Sequence, residues 1–202
     1  MEQIDEARVF VKPNFVENDD TAIRWQDRKN VMIYAGRIDE LKGVDVMLHA
    51  WKKLGSKAPE LIICGTGPME KWCREFVTDN HLEKITFMGF VANQKVKGML
   101  AEAKALILPT QWYEGFPMSI VEAFSVGTPV IGSDIGNTGD IVANGGGLTF
   151  QHDSAEALAE TVKKICDDSG NICQRVEQLY KNRYSEEVNY TILNRIYNSI
   201  TV

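Results

Sequence analysis

Six short runs of apolar residues recur along the chain, and most are followed by a stretch with apolar residues on one helical face. The runs are VMIYAG, ELIICG, KITFMG, ALILP, TPVIGS and GGLTF, which begin at Val31, Glu60, Lys84, Ala105, Thr128 and Gly146. Strands that are apolar throughout and alternate with amphipathic helices are typical of a parallel sheet covered on both faces. The pattern therefore predicts an α/β fold, a doubly wound and Rossmann-like parallel sheet with extra C-terminal helices.

Turn residues and apolar spacing also predict the helices. They are expected after Gly43, from Pro68, through Val96 to Ala103, from near Pro117 and from Ser154. Two more follow Gly170, and the last of these spans Ser185 to Ile200. Its apolar residues recur every fourth position from Val188, so this face either packs on its own domain or docks on a surface outside this chain.

The first thirty residues do not show this alternation of strand and helix patterns. Ala7 to Val11 alternates as a short strand would, and Pro13 stops it, which marks a boundary. Residues 16–30 are mostly polar and charged, so we expect a linker or loop there. The regular alternation of strand and helix begins only at Val31.

Composition and charge exclude several classes of protein. The chain has 202 residues, a net charge of −6 and no cluster of lysine and arginine, so we expect one folded core and no binding to nucleic acid. The four cysteines lack the paired short spacing of a zinc site and are read as reduced thiols. No secretory signal or membrane-spanning segment is expected, which favours a cytoplasmic location. Isolated histidines and the lack of an Asp-x-Asp pattern argue against a metal site.

Candidate chemistry lies where the predicted strands end. Ligands of doubly wound folds bind beyond the carboxyl ends of the strands, so the loops after these strands should converge on one rim. Gly65-Thr66-Gly67 resembles the start of a dinucleotide fingerprint, but Glu70 stands where its third glycine is required. Arg37 and Lys42 follow the first strand and suit a diphosphate; alternatively, Arg37 pairs with a neighbouring carboxylate.

Glu122 is a charge inside an otherwise apolar predicted helix, and it has two readings. In the first, Ser119 caps the helix and Glu122 reaches back to complete a capping box. In the second, Pro117 is the first helical residue, the amides of Met118 and Ser119 face an anion, and Glu122 accepts hydrogen bonds from a ribose. Phosphate at the helix tip and ribose on its flank would match the layout of a nucleotide.

Taken in order, these motifs resemble one family. The motif YAGR at Tyr34, followed by Lys42-Gly43, precedes GTGP at Gly65, MGF at Met88 and EGFPMSIVEA at Glu114. This series resembles the C-terminal, donor-binding domain of retaining glycosyltransferases of the GT-B fold, group 1 or family 4. The resemblance covers the chain from about Val11 onwards. One departure is the segment from Gly136 to Asp140, where the family often has Gly-Gly followed by Glu.

The resemblance implies a role for each motif. Arg37 and Lys42 would hold the diphosphate and stabilise its charge as the glycosidic bond breaks, Glu114 would contact the donor sugar, and Glu122 would bind the ribose. Further donor-binding positions would be Gly36, Gly65, Gly67, Phe90, Val91, Gly115, Phe116, Pro117, Met118 and Ser119. Phe90 and Val91 would border the base, and Gly115 to Ser119 would offer backbone amides. No metal or cofactor is implied.

The resemblance also implies that different domains bind the donor and the acceptor. Residues 1–18 would be a remnant of an interdomain segment, residues 19–184 the nucleotide-sugar-binding domain, and residues 185–202 a helix packing on an absent N-terminal acceptor domain. The expected ligand is a sugar linked to UDP or GDP, and the chain alone would bind it without transferring sugar. The cytoplasmic location could then include the membrane face, reached through the absent domain or the acceptor. Alternatives are a GT-B sugar-nucleotide epimerase and a non-catalytic nucleotide-binding module.

Overall fold

A six-stranded parallel sheet organises the protein. The computed structural model describes residues 9–18, 23–168 and 170–200. Its strands are β1 Val31–Ala35, β2 Glu60–Cys64, β3 Ile85–Gly89, β4 Ala105–Leu108, β5 Val130–Ser133 and β6 Gly147–Phe150. They lie in the order β3-β2-β1-β4-β5-β6, and every neighbouring pair is parallel. The predicted fold class and all six predicted strands are confirmed.

Helices cover both faces of this sheet. They are α1 Val44–Leu54, α2 Glu70–Asp79, α3 Asn93–Glu102, α4 Met118–Ser125, α5 Gly136–Ile141, α6 Ala155–Cys166, α7 Asn171–Arg183 and α8 Glu186–Ile200. Ser154 caps α6 by accepting a hydrogen bond of 3.1 Å from the Ala157 amide, so α6 begins where the sequence predicts. By contrast α2 begins two residues after Pro68, which lies in a turn.

The core forms where the strands meet the apolar faces of the helices. Met32, Ile33 and Leu106 are fully buried in the central strands, and Leu48 and Trp51 bring the apolar face of α1 against them. Each such side chain stabilises the fold by about 1.5–3 kcal/mol relative to exposure, because its apolar area leaves water. The strand ends are thereby fixed, and the rim loops start from a rigid base.

The segment before β1 differs from the prediction. Residues 23–30 are not a free linker: most of them are exposed, but Trp25 and Arg28 are buried and attach the segment to the core. Trp25 donates its indole N–H to the Asp168 carbonyl at 2.7 Å, and a short 3-10 turn spans Trp25–Asp27. The predicted strand from Ala7 to Val11 is also wrong for residues 9–11, which are exposed and irregular; residues 7–8 lie outside the described part.

Helix α8 keeps its apolar face only half-buried. Val188, Ile192 and Ile196 are of intermediate exposure, whereas Tyr190 is 65% exposed. One polar residue anchors the helix: Asn189 is buried, accepts a hydrogen bond from the Lys12 amine at 3.0 Å and donates one to the Pro13 carbonyl at 2.7 Å. The two readings of this face, packing on its own domain or docking elsewhere, both stay predictions.

Candidate functional site

A cleft opens at the carboxyl ends of β1, β2 and β3 and faces helix α4, which follows β4 on the other side of the point where the strand order reverses. This is the position at which open parallel sheets bind ligands. The cleft has a volume of about 440 Å³ and is lined by Ala35, Gly36, Arg37, Cys64, Gly65, Thr66, Phe90, Val91, Asn93, Val96, Ser119 and Glu122. A larger cavity of about 810 Å³ lies between residues 15–18 and helices α7 and α8. We favour the smaller cleft because three rim loops, which follow β1, β2 and β3, and helices α3 and α4 all contribute to it.

Close contact between the first two rim loops shapes the floor of the cleft. The Gly36 amide donates to the Cys64 carbonyl at 3.0 Å, and the Ile38 amide donates to the Thr66 carbonyl at 3.0 Å. Gly65 has a φ of +145°, and a Cβ atom on it would overlap the Gly36 carbonyl. Glycine is therefore required at position 65 by both conformation and space.

Arg37 stands at the edge of the cleft and is held on one side only. Its Nε forms an ion pair of 3.0 Å with Asp39, and its side chain remains 68% exposed. The Tyr34 hydroxyl donates to the Arg37 carbonyl at 2.6 Å, which fixes the backbone there. The guanidinium can thus turn towards an anion in the cleft at the cost of a weak, solvent-exposed ion pair.

Lys42 and Glu114 do not line this cleft but pair with each other beside it. The Lys42 amine donates to Glu114 Oε1, and the Thr110 hydroxyl lies 3.1 Å from the same oxygen. The two side chains are 33% and 19% exposed, so the pair is largely shielded from water. The structure therefore brings Arg37 and Glu122 into one cleft and joins Lys42 to Glu114 next to it.

Helix α4 begins at Met118, and this decides between the two readings of its first turn. Pro117 is the N-cap residue, with φ −71° and ψ 110°, and no side chain caps the helix. Ser119 is helical, so the capping box between Ser119 and Glu122 is wrong. Pro117 stands one residue before the helix instead of opening it. Within the described ranges, the Met118 and Ser119 amides have no hydrogen-bond partner, as first-turn amides commonly do not.

Glu122 faces the cleft from the flank of α4. Its side chain is half-buried, and in the part of the chain that the structure describes its carboxylate has no hydrogen-bond partner. Burial raises the pKa of Glu122, and the nearby positive charge of Lys97 partly offsets this. A partly desolvated carboxylate without a donor is suited to a ligand that supplies hydroxyl groups.

This burial predicts that Glu122→Gln stabilises the protein at neutral pH. A pKa raised in the folded state means that the ionised form costs stability above that pKa, and the cost disappears as the pH falls to the unfolded value near about 4.3. We expect the Tm to rise by about 1–2 °C at pH 7.5 and to match the wild type near pH 4. Differential scanning fluorimetry measures this, with Glu75→Gln on the exposed face of α2 as control. A lower Tm at pH 7.5 would contradict the account.

The other predicted positions divide between the cleft and its surroundings. Gly67 packs against Ile38, leaves no room for a Cβ and does not line the cleft. Phe116 turns away from the cleft: its ring packs 6.2 Å from that of Tyr184, and Gly115 and Phe116 line a different cavity beside α7 and α8. Phe90 is 84% exposed at the mouth of the cleft. Of the predicted positions from Gly115 to Ser119, Ser119 is the one that lines the cleft.

Sequence reasoning missed several residues that shape this site. Thr110 is fully buried and contacts Glu114. Its position just after a strand, at the rim, could have indicated that it belongs to the site. Asn137, in the segment that departs from the family, donates its amide to the Glu114 carbonyl at 3.3 Å and to the Gly115 carbonyl. No local pattern predicts that contact, because α5 reaches the loop only through the fold.

Neither a metal-binding cluster nor a membrane-spanning helix is found among the described residues. Over residues 9–18, 23–168 and 170–200, no group of three or more His, Cys, Asp and Glu side chains is placed to hold a metal ion. Within the same ranges, none of the helices has the length and apolar character needed to cross a bilayer.

Comparison with known proteins gives matching relatives. The family model described as "Glycosyl transferases group 1" matches residues 15–185. Over 141 residues the chain is 30% identical to the glycogen synthase of Mycobacterium tuberculosis, covering 68% of this chain and 34% of that protein. It is 26% identical over 152 residues to an uncharacterized glycosyltransferase of Methanocaldococcus jannaschii, covering 74% and 39%.

The fold is also found among solved structures. The Anabaena protein HepE, solved in complex with UDP, aligns with a TM-score of 0.75 at 20% identity, over 86% of this chain and 49% of that one. This chain therefore spans about half of that structure, and less than half of the two curated relatives.

Proposed function

Because the chain belongs to the group 1 glycosyl transferases, we propose that it is the donor-binding half of a retaining, metal-independent glycosyltransferase. The family resemblance drawn from its motifs is confirmed. The proposed ligand is a nucleoside-diphosphate sugar, and the proposed reaction transfers its glycosyl group to an acceptor.

The observation that carries this proposal is the shared cleft of Arg37 and Glu122. A cation at one loop and an unpartnered carboxylate on α4 border the same space, with the first-turn amides of α4 beside them. A nucleotide has complementary groups: an anionic diphosphate for Arg37 and the helix amides, and a ribose diol for Glu122. Phe90 and Val91, at the mouth of the cleft, would border the base.

Relatives support the choice of ligand. HepE, which shares this fold, has been solved with UDP and with UDP-glucose. Carried over to this chain, that favours a uridine nucleotide, with GDP as the second candidate. The name of the mycobacterial relative, glycogen synthase, favours a role in polysaccharide or glycan synthesis.

In the proposed reaction the protein mainly stabilises charge. As the glycosidic bond breaks, the sugar becomes oxocarbenium-like and the diphosphate gains negative charge. Arg37 and Lys42 would exchange their carboxylate partners, Asp39 and Glu114, for phosphate oxygens, and Glu114 would be released to bind the sugar. Preorganised positive groups of this kind would stabilise the charge on the leaving diphosphate, as a divalent cation does in other enzymes.

The acceptor would be bound by an N-terminal domain outside this chain. The half-buried face of α8 and the residues 9–18 beside it are the proposed contact surface for that domain. A cytoplasmic location, at the membrane face if the acceptor lies there, follows from the same proposal. The chain alone would bind donor but not transfer sugar.

Nucleotide binding tests the proposal directly. Calorimetry with UDP, GDP and ADP, at protein concentrations that detect millimolar affinity, should give binding of UDP or GDP. Glu122→Gln should weaken that binding by about tenfold, because it removes charge-assisted hydrogen bonds to the ribose. Glu75→Gln should leave it unchanged. If no nucleotide gives heat, the proposal fails; if Glu122→Gln binds like the wild type, the ribose role of Glu122 fails.

A further inference from the structure

Thr110 is a fully buried hydroxyl at the rim of the sheet, two residues after β4 ends. A buried hydroxyl without a hydrogen bond is costly, so its contacts should show what it does. Its Oγ1 accepts the Trp112 amide at 3.3 Å. Its single hydrogen faces three oxygens: Glu114 Oε1 at 3.1 Å, the Leu41 carbonyl at 3.2 Å and the Trp112 carbonyl at 3.3 Å.

Only one of these three oxygens can take the hydrogen at a time. The Leu41 carbonyl already accepts the Gln111 amide at 2.8 Å, so it does not depend on Thr110. Glu114 offers the shortest distance and a carboxylate, which makes the hydrogen bond charge-assisted. Glu114 is therefore the preferred acceptor of the Thr110 hydroxyl.

The carboxylate of Glu114 is held asymmetrically. Oε1 receives both the Lys42 amine and the Thr110 hydroxyl. Oε2 has no hydrogen-bond partner among residues 9–18, 23–168 and 170–200, although the side chain is only 19% exposed. One oxygen is thus fixed by the protein, and the other is left for a donor that the described protein does not provide.

We propose that Thr110 is a positioning residue that holds Glu114 for the hydroxyl groups of the donor sugar. This inference rests on the proposed function. When a diphosphate draws Lys42 away, Thr110 becomes the one side chain in the described part of the protein that still hydrogen-bonds the Glu114 carboxylate. It keeps Oε1 in place while Oε2 accepts from the sugar, so it acts on sugar binding and not on nucleotide binding.

The test compares nucleotide with nucleotide-sugar in two variants of Thr110. Calorimetry gives the Kd for UDP, GDP, UDP-glucose, UDP-galactose, UDP-N-acetylglucosamine and GDP-mannose, and the sugar gain is the ratio of the Kd values without and with the sugar. Thr110→Val has the same shape without the hydroxyl and should reduce the gain about three- to tenfold while the nucleotide Kd changes less than twofold. Thr110→Ser keeps the hydroxyl and should preserve the gain.

A purely structural role would give a different result. Loss of packing would weaken nucleotide and nucleotide-sugar alike, and it would do so in any background. In a Glu114→Ala background, Thr110→Val should therefore change the sugar gain no further, because Thr110 acts through Glu114. If Thr110→Val fails to fold, Thr110→Ser and Thr110→Ala are compared in the same way.

The outcomes separate this inference from the proposed function. If the wild type binds none of the six compounds, the proposed function fails and the role of Thr110 fails with it. If the wild type binds nucleotides without any sugar gain, or if Thr110→Val keeps the gain, nucleotide binding stands and the role of Thr110 is overturned. An equal loss in Thr110→Ser would also overturn it.

Discussion

Replacement of Arg28 by methionine is expected to lower the free energy of unfolding by about 3–5 kcal/mol, because it leaves buried acceptors without a donor. The guanidinium donates to the Ala103 and Val126 carbonyls at 2.9 Å each, to the Thr128 hydroxyl and to the Ile23 carbonyl at 3.0 Å. Residues 103, 126 and 128 are completely buried, and Arg28 itself is 5% exposed.

Arg28 stabilises the fold through its hydrogen bonds, but burial of its charged guanidinium carries a desolvation cost. It lowers the pKa of the guanidinium, and the nearby Cys173 and Glu177 partly offset this. A buried ion pair can often be replaced by apolar residues at little cost, but the acceptors here are mostly backbone carbonyls that no substitution removes. Methionine fills part of the volume and donates nothing, so the carbonyls lose their hydrogen bonds.

Denaturation with urea measures the effect of Arg28→Met, with the midpoint and the m-value fitted separately. Arg24→Met is the matched control, because Arg24 is 76% exposed and only pairs with Asp27 at 2.8 Å. That change should cost less than about 1 kcal/mol. A loss below about 1 kcal/mol in Arg28→Met as well would show that water or a relaxed backbone replaces the lost donor.

Arg28 also shows why part of the fold escapes sequence reasoning. The apolar runs identified every strand, and most clearly the central ones, because strands buried on both faces are continuous apolar runs such as VMIYA. The segment before β1 reads as polar, yet its arginine is the donor for the ends of α3 and α4 and for Thr128, two residues before β5. Local pattern cannot show which charge is buried when its partners lie 75 to 100 residues away.

The candidate site also has parts that the sequence predicts and parts that it does not. Its location follows from the rule for parallel sheets, and Gly36, Arg37, Gly65 and Glu122 lie together in the cleft as expected. What could not be foreseen is how the charges pair in the free protein. Sequence order separates Lys42 from Glu114 by 72 positions, and only the fold joins them. The roles assigned to these residues stay predictions.

Lys42→Ala is expected to weaken binding of the preferred nucleoside diphosphate by about 10- to 100-fold, if Lys42 leaves Glu114 for the phosphates as proposed. A charge-assisted hydrogen bond to phosphate is worth about 1.5–3 kcal/mol, and each 1.4 kcal/mol is a factor of ten. Binding should also become less sensitive to salt, because one phosphate contact is lost. Calorimetry at two salt concentrations measures both effects.

Lys53→Ala is the matched control for this change. Lys53 pairs with Glu156 at 2.6 Å on the outer surface, with side chains 49% and 64% exposed. Each variant breaks one ion pair. Lys53→Ala should lower stability by about 1 kcal/mol or less, and Lys42→Ala by more, because the pair of Lys42 with Glu114 is largely shielded from water. Only Lys42→Ala should lose nucleotide affinity. If it binds as tightly as Lys53→Ala, Lys42 stays with Glu114 when nucleotide is bound, and Arg37 with the α4 amides must supply the positive charge alone.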